Sequence, residues 1–100
     1  MNKINNAYDL TRFVSRAQHG NAWFLEALRE WAVEHGWDIE QTSSRQRGAR
    51  VITLEKPPGM RIIFGLYGIE LSDDIMPNSF TTAEVAYSLI VGDEGVPQYG

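Results

Sequence analysis

Apolar residues follow a helical period in the first third of the chain. Ala7, Leu10, Phe13, Val14 and Ala17 fall within roughly 120° on a helical wheel, with Asp9, Arg12, Ser15 and Arg16 facing away. That pattern predicts a helix over 7–18, capped by Asn6 with Asp9 in the capping-box position. A second helix is predicted over 22–35. Phe24, Leu25, Leu28, Trp31 and Ala32 share its apolar face, Glu26, Glu30 and Glu34 stack on another, and Trp23 stands among the acids. Between the two helices, Gly20 suits a left-handed position and Asn21 suits an N-cap. So short a connector predicts an αα-hairpin, and Gly36 stops its second arm.

From Trp37 the period shortens to two. Trp37, Ile39 and Gln41 alternate with Asp38, Glu40 and Thr42, as a strand with one wet face does. Residues 43–48 read as a polar loop, and Arg50 to Glu55, rich in β-branched residues, reads as a second strand. Lys56-Pro57-Pro58-Gly59 signals a turn before a third, most hydrophobic strand from Met60 to Leu66. Gly65 and Gly68 mark a bend or bulge, after which Ile69-Glu70-Leu71 offers a short return strand. Residues 72–79 read as a surface loop. A capping box of Thr81 and Glu84, with Phe80 and Val85 as hydrophobic staple, opens a last helix that runs to about Val91 and ends at Gly92. Residues 93–100 read as a tail that covers a sheet edge if Val96 or Tyr99 packs.

The expected fold class is therefore α+β in the order ααβββα. An αα-hairpin precedes a three-stranded antiparallel meander and a C-terminal helix, the helices lying on one face of the sheet. Residues 1–100 are expected to form one compact domain. Double-stranded-RNA-binding domains share a helix–three strands–helix order, but their last helix opens with basic residues. Here it opens Thr81-Thr82-Ala83-Glu84, whose carboxylate repels phosphate, so the likeness stops at topology.

Composition narrows the function classes. Hydrophobic residues at 43% and charged residues at 22% are ordinary globular usage and argue against disorder. The absence of cysteine removes disulfides, thiolate metal sites and thiol nucleophiles. No apolar run follows Met-Asn-Lys-Ile-Asn-Asn, so neither signal peptide nor membrane span is expected, and the expected location is cytoplasmic. A net charge of −4 disfavours a general nucleic-acid binder and favours basic partners.

Three clusters invite chemistry. The first is the acidic surface of Trp23, Glu26, Glu30 and Glu34, extended by Glu70, Asp73 and Asp74. An aromatic ringed by carboxylates suits docking onto a basic protein surface. Its competing explanation is that the first helix swallows Trp23 while the glutamates form a solvated face relieved by Arg29. The second is a basic hairpin of Arg45, Arg47 and Arg50, with Lys56 and Arg61 adjacent, which either contacts phosphates or simply keeps a sheet edge soluble. The third, acidic, gathers Glu70, Asp73 and Asp74 before the last helix and Asp93 and Glu94 after it. It lacks the alternating ligands of a calcium loop.

Catalysis has little to stand on. His19 lies at the helix junction and His35 in a last helical turn, both structural positions, and no nucleophile elbow, phosphate loop or dinucleotide fingerprint is present. No metal and no cofactor is expected. The chain thus reads as a non-enzymatic protein-binding module, an adaptor or stoichiometric inhibitor of a partner with a basic surface. Small phage- or plasmid-encoded blockers of host nucleic-acid machinery are an analogy by size and charge alone. Two alternatives stay open: a nucleic-acid contact through Arg45, Arg47 and Arg50, and a self-assembling subunit such as a homodimer.

Overall fold

A computed structural model describes residues 4–46, 49–72 and 79–92, and the side chains of all of these except 41–46 and 49. Helix α1 spans Ala7–Gln18 and α2 spans Ala22–Glu34. Five strands follow, β1 (Asp38–Gln46), β2 (Ala49–Lys56), β3 (Met60–Phe64), β4 (Ile69–Ser72) and β5 (Ser79–Thr81), and then α3 (Ala83–Val91). The strands form one antiparallel sheet in the order of the chain.

The helical hairpin forms as its sequence dictates. Asn6 accepts from the Asp9 amide at 2.8 Å, and Asp9 in return accepts from the amide of Asn5 at 3.1 Å. Gly20 takes φ +94°, a conformation costly to any side chain with a Cβ, and the chain reverses there. Asn21 then accepts from the amides of both Trp23 and Phe24, which fixes the first turn of α2.

Alternation explains the layers. Ile39, Ile52, Leu54, Ile62 and Phe64 are buried on one face, in register with one another across β1, β2 and β3. Helix α1 packs on β2 and α2 on β1, while α3 packs on α1. Leu10, Val14, Ala17, Leu28, Ala32, Trp37, Ala86 and Ile90 complete the core. Gln18 ties α1 to the far end of β3 by donating from Nε2 to the Phe64 carbonyl at 2.9 Å.

Several sequence expectations are corrected. The meander has five strands, not three. The expected polar loop at 43–48 is largely strand, because β1 continues to Gln46 and β2 begins at Ala49. A shift in register between Gln41 and Arg45 carries that extension, so strict alternation lapses where the sequence turns uniformly polar. The return strand at Ile69 exists, and Ser79–Thr81, assigned from sequence to a loop and a cap, pairs with it as β5. The cap of α3 is Thr82, not Thr81: its hydroxyl accepts from the Val85 amide at 3.3 Å. That one-residue slip places Glu84 in the first turn without closing a box, and Phe80 and Val85 are both exposed rather than stapled.

Candidate functional site

The outward face of the helical hairpin carries the predicted aromatic. Trp23 is 58% exposed. One edge of its indole rests against α1, with ring centroids 6.4 Å from Phe13 and 4.8 Å from Phe24, and Phe13 and Phe24 meet edge to face at 4.9 Å. Helix α1 therefore supports the indole without swallowing it. The three rings form a ledge whose base is core, since Phe13 is buried and Phe24 half-buried.

The flanks of this ledge carry opposite charge. On the α1 side the Arg16 guanidinium lies over the Phe24 ring at 5.4 Å, and Arg12 over Phe13 at 5.9 Å. Such exposed cation–π contacts are worth about 0.5–1 kcal/mol and hold the cations beside the aromatics. On the α2 side, Glu26, Glu30 and Glu34 are all exposed. Glu26 makes a loose pair with Arg29 at 3.9 Å, whereas Glu30 and Glu34 enter no ion pair among the described residues. Arg12 pairs with Asp9 at 3.9 Å, which leaves Arg16 as the cation of this face without a carboxylate among the described residues. Sequence reasoning placed Trp23 and the acids but missed Arg12 and Arg16. Their position beside the rings follows from the antiparallel packing of Phe13 on Phe24, which a single-helix wheel does not contain.

Glu70 lies elsewhere. It sits on β4 in register with Ile63 and Phe80, and by alternation its side chain belongs to the sheet face turned away from the helices. Asp73 and Asp74 fall outside the described residues, as do Arg47, Asp93, Glu94 and the tail 93–100. Of the basic hairpin, Arg45 and Arg50 are opposite one another in the β1–β2 register, and Arg50 is half-buried. Lys56 leans over the buried Trp37 ring at 5.9 Å, and Arg61 pairs with Glu55 at 3.5 Å, so both are engaged away from that hairpin tip.

The outer sheet face holds a second acidic group. Asp38 stands opposite Glu55, with Glu40 on the same strand as Asp38 and Arg61 opposite Glu55 on its other side. The Glu55 carboxyl is held above its ordinary range. Its hydrogen bond with Glu40 is the main cause, followed by partial loss of water and by repulsion from Glu40 and Asp38, against the pull of Arg61. Among the described residues, no three His, Asp or Glu side chains gather to hold a metal ion. His19 directs Nδ1 at the Ser15 carbonyl at 2.8 Å, so that nitrogen bears the proton, and His35 packs its ring against Trp31 at 5.4 Å. A shallow neutral groove of about 280 Å³ runs between α1 and the β3–β4 turn, lined by Thr11, Ser15, Gln18, Leu66, Tyr67 and Ile69. None of the described helices is long and apolar enough to cross a membrane. In comparison with known proteins, no family model, no curated protein and no solved structure matches the chain.

Proposed function

We propose that this protein is a non-enzymatic binding module, an adaptor or stoichiometric inhibitor, that docks α2 onto a basic surface of a partner protein. The observation that carries the reading is the exposed Trp23 ring on a braced aromatic ledge, on the same helix as Glu30 and Glu34, which have no ion-pair partner among the described residues. A tryptophan buries 150–250 Å² when enclosed, so about 100 Å² of this indole is left to cover. At ~25 cal/mol/Å² that is roughly 2–3 kcal/mol, the scale of an interface hot spot. The ledge also fixes the ring in advance, which lowers the entropy lost on docking. The glutamates supply attraction and orientation more than affinity. Two like-charge i,i+4 pairs cost α2 about 0.2–0.5 kcal/mol each, a burden that a basic partner relieves.

The proposed docking residues are Trp23, Glu26, Glu30 and Glu34. Glu70 belongs to the other side of the sheet and joins only a partner that wraps the edge. Affinity capture from the native cell tests the proposal, using wild type, Trp23→Ala and Glu30→Lys as parallel baits. A protein retained by wild type at low salt and lost with either variant supports it. Identical captures by all three baits sink it.

A further inference from the structure

The docking face is bipolar, and bipolarity about an apolar centre has a symmetry consequence. Arg16 lies over Phe24 on the α1 side of the ledge, Trp23 and Phe24 form its centre, and Glu30 and Glu34 stand exposed further along α2. Glu30 is seven residues past Trp23, about 10 Å along the axis at 1.5 Å per residue, and Glu34 is a turn further. Rotating a second copy by 180° about an axis that lies in this face, passes through Trp23 and bisects the directions to Arg16 and to Glu30, turns the two faces toward each other and brings its glutamates over Arg16, and its Arg16 over Glu30 and Glu34. The two indoles then meet near the axis. This is the condition for an isologous contact, in which one patch serves both sides.

We infer that this face pairs with a second copy of the same chain through Trp23, with Arg16 of each copy set against Glu30 and Glu34 of the other. The inference rests on the docking reading, because both make Trp23 the anchor. It adds regulation: the protein masks its own site until a partner with a stronger basic surface displaces the second copy. Size sets the strength. Two packed helices some 20 Å long and about 20 Å across offer on the order of 400 Å² per copy, half of what a standard stable interface buries on each side. The pair is therefore transient and concentration-dependent, as a mask that yields to a partner must be.

Sedimentation velocity of the full chain, from about 10 μM to 1 mM, tests this alongside charge complementation. Wild type is expected to associate at low salt and to lose roughly tenfold in association constant at about 0.5 M salt, where the screening length falls to a few ångströms. Arg16→Glu alone, and Glu30→Arg with Glu34→Arg in one chain, are each expected to sediment as monomers, since like charges then face one another. An equimolar mixture of these two variants is expected to associate again, because in the mixed pair one contact is restored with sign reversed and the other keeps its native sign. Circular dichroism checks that every variant keeps its helices. In wild type, the Trp23 indole resonance is expected to shift on dilution while that of the buried Trp37 stays fixed.

A wild type that stays monomeric at every concentration overturns the inference. So does a mixture that fails to associate, or an association that ignores these substitutions. If a monomer still captures a protein through Trp23, the self-pairing alone is wrong and the docking proposal stands. If captures are indifferent to Trp23 as well, both fall.

Discussion

The outward face of the helical hairpin and the outer face of the sheet are both acidic and both open to water, yet they handle charge differently. On the sheet, Arg61 pairs with Glu55 at 3.5 Å while Glu40 and Asp38 crowd the same carboxyl, so one cation stands among three acids. On the hairpin, Glu30 and Glu34 have no described ion-pair partner, and the cation left over, Arg16, lies across the aromatic ledge from them. Strand register sets opposed side chains about 5 Å apart, so Glu55 meets Asp38 on one side and Arg61 on the other. On a helix the close positions are i+3 and i+4, and α2 answers Glu26 with Arg29 but sets Glu30 between Glu26 and Glu34. Unsettled charge beside an exposed ring marks the surface that has something to gain from a partner.

The largest effect that sharpens this contrast is Trp23→Ala. Partner affinity is expected to fall about 30- to 150-fold, the 2–3 kcal/mol of indole burial, while folding stability drops by less than about 1 kcal/mol. Calorimetric titration of the captured partner and a urea melt measure the two numbers. Equal losses in both would make the indole part of the core. On the sheet face, Phe80 is 74% exposed and no charge is opposite it in the β4 register except Glu70. Phe80→Ala is expected to leave partner affinity unchanged, which makes it the matched control.

Next in size is Asn21→Ala. Its side-chain oxygen accepts from both Trp23 and Phe24 amides, so its loss frays the turn that carries the ledge. A cost of about 1 kcal/mol in stability is expected, with weaker partner binding as the turn loosens. Asn6→Ala removes the equivalent cap of α1, far from the ledge, and is expected to cost similar stability with no effect on binding. Melting curves and the same titration separate the two caps.

These helix features were legible in the sequence because their signals are local. Asn6, Gly20, Asn21 and Gly36 act within four residues, and a wheel orders the faces. The αα-hairpin therefore emerged with boundaries within one residue of those observed, α2 ending at Glu34 rather than His35. Strand extent was legible only where burial imposed alternation. Between Gln41 and Arg45 the register shifts, so the polar letters of 43–46 gave no reason to extend β1. Strand β5 is three residues held by pairing with β4, a long-range contact that no short pattern encodes. Thr81 and Thr82 are equal cap candidates by composition. Pairing Thr81 with Ile69 in the sheet is what shifts the cap to Thr82. At the site itself the same divide holds: Trp23 and the glutamates were visible on one helix, whereas Arg16 joins them only through the packing of two.

A smaller effect tests the sheet side. Arg61→Met removes the one described cation paired with Glu55 and leaves Asp38, Glu40 and Glu55 facing one another. Both members of the pair are about half exposed, so the expected loss is at the scale of surface pairs, about 0.2–1 kcal/mol, shrinking with added salt. Glu30→Lys on α2 is expected to move stability the other way by a few tenths of a kcal/mol, since it removes two repulsive pairs. Opposite signs in parallel urea melts are the signature of a cation that relieves the sheet acids and of a glutamate ridge on α2 that repels itself.

The finest distinction is one of pH. Because the folded protein holds the Glu55 proton more tightly than the unfolded chain does, protonation favours the fold. That contribution is fully present below the ordinary carboxyl value of 4.5 and is lost as pH rises through the raised value of the native state. Glu40→Gln removes the carboxylate that causes most of the shift, through both its hydrogen bond and its charge. The variant is therefore expected to lose less stability than wild type between about pH 4 and pH 7 and to gain on it most at the upper end. Denaturant midpoints across that range measure it. The same substitution should leave partner binding untouched, because Glu40 lies on the outer sheet face and not beside Trp23 on α2. A binding change with Glu40→Gln as large as that with Glu30→Lys would erase the distinction between the two faces and move the docking surface to the sheet.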